Sequence, residues 1–234
     1  MKKMIIASTS TVYGSSYLEY LLPTLKTFFK GVHTLVFIPF ARPGGVSYDG
    51  YTEVVQKAFS KIDINVKGVH EYNNVNDAIL NAEAIFTGGG NTFELVNQLY
   101  KNDIIDTLKK VINNGTPYLG TSAGSNICGI SMMNTNDMPI VYPPSFVTLG
   151  CIPFNINAHY LDPIEGSKHM GETRETRIKE YHVFNEVPVL GLREGSWLSV
   201  EGNSITLKGE HSARLFQQNL KPVELESGVE VALR

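Results

Sequence analysis

Five consecutive residues, Gly120-Thr121-Ser122-Ala123-Gly124, match the Gly-x-Ser-x-Gly pattern that holds a nucleophilic serine in a tight strand-to-helix turn. A strand-like run precedes them and a small-residue helix start follows. Such a turn needs neighbours without bulk, because backbone segments must pass close to the serine. It also leaves backbone N–H groups at a helix start beside the oxygen, where an oxyanion could be held. A serine hydroxyl is a weak nucleophile at neutral pH and needs a base, itself oriented by a third group. The chain has six histidines: His33, His70, His159, His169, His182 and His211. His33 opens a strand-like run, His70 and His211 lie in polar surroundings, and His169 and His182 flank a helical segment. These five read as structural or solvated. His159 follows the apolar run 152–157 and is placed to project from a strand-end loop, so it is the expected base. The sequence offers Asp137, Asp162 and Glu194 as the orienting carboxylate, and spacing does not choose among them. Each has a structural alternative as a turn or helix cap.

A second glycine-rich turn, Gly88-Gly89-Gly90-Asn91-Thr92, also follows a strand-like run and opens a helix. Neither Gly-x-Gly-x-x-Gly nor Gly-x-x-x-x-Gly-Lys-Ser/Thr is present, so a nucleotide phosphate site is not indicated. Close backbone approach and exposed N–H groups favour an oxyanion role for this turn, with Gly89 and Ala123 as the expected donors.

Both turns must be positioned by alternating strands and helices. Residues 3–7, 33–38, 62–69, 84–87 and 117–120 read as strands. Helical patterns fall at 17–29, 48–59, 76–82, 92–100 and 104–112. Leu18, Leu21, Leu22, Leu25 and Phe28 share a face in the first of these, where Pro23 marks a helix start or a kink. Asn113-Asn114-Gly115 supplies a left-handed stop to the last. This alternation predicts a parallel sheet with helices on both faces. The second half is less regular, with loops over 134–153, a helix at 172–181 and short strands at 189–193, 197–200 and 204–207. No repeat, low-complexity tract or linker interrupts the chain, and residues 1–234 are expected to form one domain.

Composition sets the remaining bounds. Hydrophobic residues make up 42% and charged residues 18%, the balance of a soluble globular chain. A formal net charge of −3 argues against nucleic acid as a partner, which would need a concentrated basic surface. No segment approaches the ~20 apolar residues of a membrane span, and the apolar run after Lys2 and Lys3 ends too soon for a signal peptide. The two cysteines, Cys128 and Cys151, lack metal-ligand spacing and fit a reducing cytoplasm without disulfides.

The chain resembles a known family through several segments in one order: 86–93, 120–126, 135–141, Pro143-Pro144-Ser145-Phe146, Asn157-Ala158-His159-Tyr160 and Gly171-Glu172-Thr173-Arg174. These are similar to the peptidase E (α-aspartyl dipeptidase) family over essentially the whole length. The resemblance implies an α/β three-layer sandwich with a mostly parallel central sheet, like the class I glutamine amidotransferase domain with serine replacing the cysteine nucleophile. It implies serine-type hydrolysis of dipeptides with an N-terminal aspartate through an acyl-enzyme, without metal or organic cofactor. By matching positions, Ser122 is the nucleophile and His159 the base, while Asp137 and Glu194 are both retained as the acidic member. Arg174 and Asn91 are the expected substrate-binding residues, since a guanidinium can grip the β-carboxylate through two parallel hydrogen bonds. Ala158 departs from the usual proline before the histidine, and Ser167-Lys168 fall where the family varies; both concern loop shape. The implied partners are Asp-X dipeptides, and a homodimer stays open. A β-aspartyl or cyanophycinase-like peptidase, a conventional α/β-hydrolase esterase and a non-catalytic amino-acid-binding protein are the rival readings.

Overall fold

In the computed structural model, which describes residues 1–163, 166 and 171–233, a seven-stranded sheet runs through the first half of the chain and takes two strands from the second. Its strands are β1 (Lys3–Ala7), β2 (Thr34–Ile38), β3 (Asn65–Gly68), β4 (Ile85–Thr87), β5 (Tyr118–Thr121), β8 (Trp197–Glu201) and β9 (Ser204–Lys208), in the order β3-β2-β4-β5-β1-β8-β9. The first five pair in parallel, and β8 and β9 add an antiparallel hairpin on the edge beside β1. A smaller sheet, ordered β11-β10-β7-β6, is made by β6 (Asn155–Ala158), β7 (Val189–Leu192), β10 (Ala213–Phe216) and β11 (Val223–Leu225).

Period-two side-chain alternation builds the layers. Met4, Ile6, Val36, Ile38, Ile85 and Tyr118 face one side, packing with α3 (Val75–Leu80), α4 (Thr92–Lys101), α5 (Ile105–Asn114) and the short α6 (Ala123–Asn126). Ile5, Ala7, Leu35, Phe37, Phe86 and Leu119 face the other, against α1 (Leu22–Phe28) and α2 (Tyr48–Phe59). The first of these clusters continues through Ile156, Leu190, Leu192 and Leu215, so the inner face of the small sheet shares its core. The outer face of that sheet is covered by α7 (Arg174–Phe184) through Ile178 and Tyr181.

The expected helix over 17–29 is divided in the structure. Leu18 takes the left-handed conformation at φ 58°, Glu19–Leu21 form a 3₁₀ turn, and α1 starts at Leu22 with Pro23 in its first turn, where a missing N–H costs nothing. The expected strand over 62–69 shortens to β3, because a 3₁₀ turn ends at Ile62 and Asp63 turns the chain at φ 60°. The helix expected at 172–181 runs instead from Arg174 to Phe184, with Thr173 accepting the Thr176 N–H at 3.1 Å as its cap. Strands β10 and β11 were not foreseen, nor was the second sheet. Ser167, Lys168 and His169 lie outside the described residues.

Candidate active site

The parallel strands β4, β5 and β1 end side by side at their carboxyl edge, the usual location for a site in an open α/β sheet. β4 leads into Gly88, β5 into Ser122 and β1 into Ser8. Ser122 stands at φ 53°, ψ −112°, a costly backbone for a residue with a side chain. Three backbone bonds hold it there: its N–H donates to the Ala7 carbonyl at 3.1 Å, and its own carbonyl accepts from Ser125 and Asn126 at 2.9 Å each. The glycines of the motif are required by close approach. A Cβ on Gly120 would run into the Gly124 carbonyl, and one on Gly124 into the Thr87 carbonyl.

His159 occupies the residue after β6, also in the left-handed region at φ 54°. Its backbone N–H donates to Ser8 Oγ at 2.9 Å, and that hydroxyl donates to the Leu192 carbonyl at 2.7 Å. Ser8 is fully buried, so one hydroxyl ties together the ends of β1, β6 and β7. The imidazole lies between two partners, with Nδ1 3.0 Å from Glu194 Oε1 and Nε2 2.9 Å from Ser122 Oγ. A carboxylate can only accept, so Nδ1 carries the proton and Nε2 is the acceptor for the serine hydroxyl. Side-chain exposure is 36% for His159 and 54% for Glu194, which leaves the pair open to an incoming substrate. Tyr20 stands nearby, its phenol pushed up first by burial and then by the charge of Glu194.

The other candidates are placed elsewhere. Asp137 does not reach His159; its Oδ2 accepts the Thr92 N–H at 2.7 Å, at the first residue of α4. The attraction of a carboxylate for an unpaired helix N-terminus accounts for that choice. Asp162 pairs with Arg193 at 2.8 Å. Asn91 has both ends of its amide engaged, Oδ1 accepting the Glu94 N–H at 3.1 Å and Nδ2 donating to the Met138 carbonyl at 2.8 Å. It caps α4 and fastens the loop that carries Asp137. His70 pairs with Asp49 at 2.8 Å, and His182 Nδ1 meets the Asn185 carbonyl at 2.9 Å.

The glycine turn differs from expectation in one donor. Gly89 packs against Ser122, and a Cβ there would lie 2.9 Å from the serine Cβ. Its N–H, however, donates to the Tyr51 hydroxyl at 3.0 Å. The Gly90 N–H has no partner among the described residues, and Ala123, as the first residue of α6, has no carbonyl behind it to accept its own. Among the described residues, Ala123 and Gly90 therefore carry the N–H groups without a partner, while Gly89 packs against Ser122.

Arg174 is the first residue of α7 and half-buried. Burial lowers its pKa, the charge of Arg177 lowers it further, and Asp137 opposes both. Among the described residues it makes no ion pair. No group of three or more His, Cys, Asp or Glu side chains among the described residues could hold a metal ion, and none of their helices is long and apolar enough to cross a membrane. Both cysteines are free and buried. Sequence reasoning missed Ser8 and Tyr51, whose contacts join segments 151 and 38 residues apart.

Comparison with known proteins shows what the whole chain is similar to. Residues 4–208 match the model of peptidase family S51. Among curated proteins, the chain is 47% identical to a "Peptidase E" of Streptomyces coelicolor, over 98% of this chain and 93% of that protein. It is 42% identical to a Drosophila melanogaster protein named "Probable alpha-aspartyl dipeptidase", over 92% of this chain and 90% of that one. The fold matches the crystal structure of a peptidase from an acI-B1 Actinobacterium with a TM-score of 0.75 at 13% identity, covering 100% of this chain and 97% of the other.

Proposed function

The chain belongs to peptidase family S51 and is a peptidase, and from that premise we propose that it is a serine-type dipeptidase cleaving the bond after an N-terminal aspartate. The observation that carries this reading is the continuous line from Ser122 Oγ through His159 to Glu194, with contacts of 2.9 and 3.0 Å. Ser122 attacks the scissile carbonyl while His159 Nε2 takes its proton, and Glu194 orients the imidazole and stabilises its charged form. The oxyanion is received by the N–H groups of Ala123 and Gly90. The imidazolium then protonates the leaving amine, and the second residue departs as a free amino acid. Water, deprotonated by the same imidazole, attacks the aspartyl ester, and collapse of the second tetrahedral intermediate releases aspartate and restores the Ser122 hydroxyl. Only protein groups and water take part.

Arg174 is assigned to the β-carboxylate of the substrate, a role supported by its partial burial beside Asp137 and its lack of an ion-pair partner among the described residues. Lysine would supply the charge without the fork, so Arg174→Lys should raise KM for Asp-Leu far more than it lowers kcat. Residues 1–234 are read as one catalytic domain, supported by the core cluster that spans both sheets. We also propose that it works in the cytoplasm, as a homodimer favoured by the exposed apolar side chains Met138, Ile140, Tyr142 and Val147, a state that sedimentation velocity tests. The functional test compares Asp-Leu, Glu-Leu and β-linked Asp-Leu as substrates. Turnover of the α-linked aspartyl peptide alone supports the reading. Preference for the β-linked peptide would transfer the chain to the isoaspartyl or cyanophycinase-like activities, and binding without turnover to the amino-acid-binding class.

A further inference from the structure

The catalytic histidine and its carboxylate each have a neighbour in sequence that belongs to a second, separate cluster. Tyr160 follows His159 and Arg193 precedes Glu194, and the Arg193 guanidinium lies 5.6 Å from the centre of the Tyr160 ring. Arg193 grips Asp162 in a bidentate fork, Nε to Oδ2 and Nη2 to Oδ1, both at 2.8 Å. The same guanidinium forks onto Glu224 through Nη1 at 2.9 Å and Nη2 at 3.1 Å, and Nη1 also reaches the Ser212 carbonyl and hydroxyl at 2.9 Å. Its side chain is only 18% exposed. Arg214 borders the cluster, pairing with Glu175 of α7 at 2.9 Å and with Glu224 at 3.4 Å.

The two carboxylates come from different parts of the chain. Asp162 stands three residues after His159 on the segment leaving the site, and Glu224 belongs to β11, at the edge of the small sheet. Between them, the backbone is fixed by the parallel register of Ala158 with Leu192 and by the Tyr160 N–H donating to the Leu192 carbonyl at 3.1 Å. Arg193 thus bolts the strand end carrying Glu194 to the segment carrying His159 from one side, while Ser8 ties the same two segments from beneath the site. Single exposed ion pairs contribute little, but a planar guanidinium held by two carboxylates and a carbonyl fixes orientation as well as distance. That distinction matters here, because the Glu194–His159 contact is half exposed and nothing in its own burial holds it at 3.0 Å.

We propose that Arg193 is a positioning residue for catalysis: its clamp on Asp162 and Glu224 holds Glu194 against His159. It touches neither substrate nor reacting atoms. The proposal rests on the reading of Ser122, His159 and Glu194 given above, and its test separates the two. Arg193→Met, Glu194→Gln and the double variant are assayed with Asp-Leu, beside thermal melting and the proton NMR signal of the His159 Nδ1–H. Arg193→Met should lower kcat by about tenfold with KM within about twofold, and weaken or abolish the Nδ1–H signal in protein that remains folded. In the Glu194→Gln background the same substitution should cost little further kcat, because the charge that the clamp holds against His159 is already removed. A full additional loss in that background, or an unchanged kcat and Nδ1–H signal in Arg193→Met, overturns the clamp. Glu194→Gln with wild-type kcat instead overturns the assignment of Glu194 itself. If Arg193→Met does not fold, Asp162→Asn removes one arm of the fork and is read by the same cycle.

Discussion

The choice between two carboxylates gives the sharpest quantitative prediction. Glu194→Gln keeps the shape of the side chain and removes its charge beside an imidazole that becomes positive in the transition state. At the observed 3.0 Å, the attraction between unit charges runs from ~1.4 kcal/mol in bulk water to ~5.5 kcal/mol at an effective dielectric of 20. Glu194 is 54% exposed and His159 36%, so solvent screening places the effect in the lower part of that range. About 1.5–3 kcal/mol is expected, or roughly a 10- to 150-fold fall in kcat. Asp137→Asn acts on a different contact, the 2.7 Å cap on the Thr92 N–H. The amide oxygen can still accept, so the cost should be about 0.5–1 kcal/mol of stability, seen as a Tm lower by about 1–4 °C. Its kcat should stay within about threefold of the parent. Steady-state release of aspartate from Asp-Leu and a thermal melt decide the matter in one preparation of each variant. The reasoning is refuted if Asp137→Asn loses more kcat than Glu194→Gln, or if Glu194→Gln retains parent activity.

One further substitution and two measurements on the cysteines probe the rest of the fold. Gly89→Ala places a Cβ 2.9 Å from that of Ser122 and 3.4 Å from its Oγ, so Ser122 must shift; kcat should fall about 100-fold, and parent-like kinetics would show that the turn yields instead. Cys128 and Cys151 are buried thiols held protonated, Cys128 by burial and then by Cys151, and Cys151 by burial against the opposing charges of Lys2 and Lys109. Neither should react with a disulfide reagent in native protein at pH 8, while both should react once it is unfolded. The folded Cys151 pKa is raised from 9.0 to about 11, so its contribution to stability is complete below pH 9 and lost as pH rises through that interval. The urea midpoint should accordingly fall between those values, and a flat profile would contradict the assigned burial.

What the sequence disclosed follows from how local each constraint is. The turn around Ser122 was legible because Gly120 and Gly124 are demanded by contacts within the same few residues and by β4, which a second glycine turn announces. The parallel half of the central sheet was equally legible, since each strand and its following helix carry their own period. The small sheet was less so: β7 was expected at 189–193, but β6, β10 and β11 are only three to four residues long, and β6 and β10 meet β7 from distant parts of the chain. Glu194 could not be chosen over Asp137, because its contact with His159 spans 35 residues and depends on the register of β6 with β7. Asn91 and Asp137 also lie in the family-like segments, and the unpaired N–H groups of α4 explain their placement. Gly89 was misread as a donor for a related reason. Its N–H is taken by Tyr51, a residue 38 positions away on α2.

The central claim is that Ser122 and His159 act as one nucleophile. The most direct measurement is release of free aspartate from Asp-Leu by the parent protein, Ser122→Ala and His159→Ala, each shown by circular dichroism to be folded. The account predicts that either substitution lowers kcat by about 10⁴-fold or more, and that the double variant is no worse than the single ones, as expected of residues working as a unit. Ser122→Ala retaining activity within about tenfold of the parent would contradict it and place the nucleophile elsewhere.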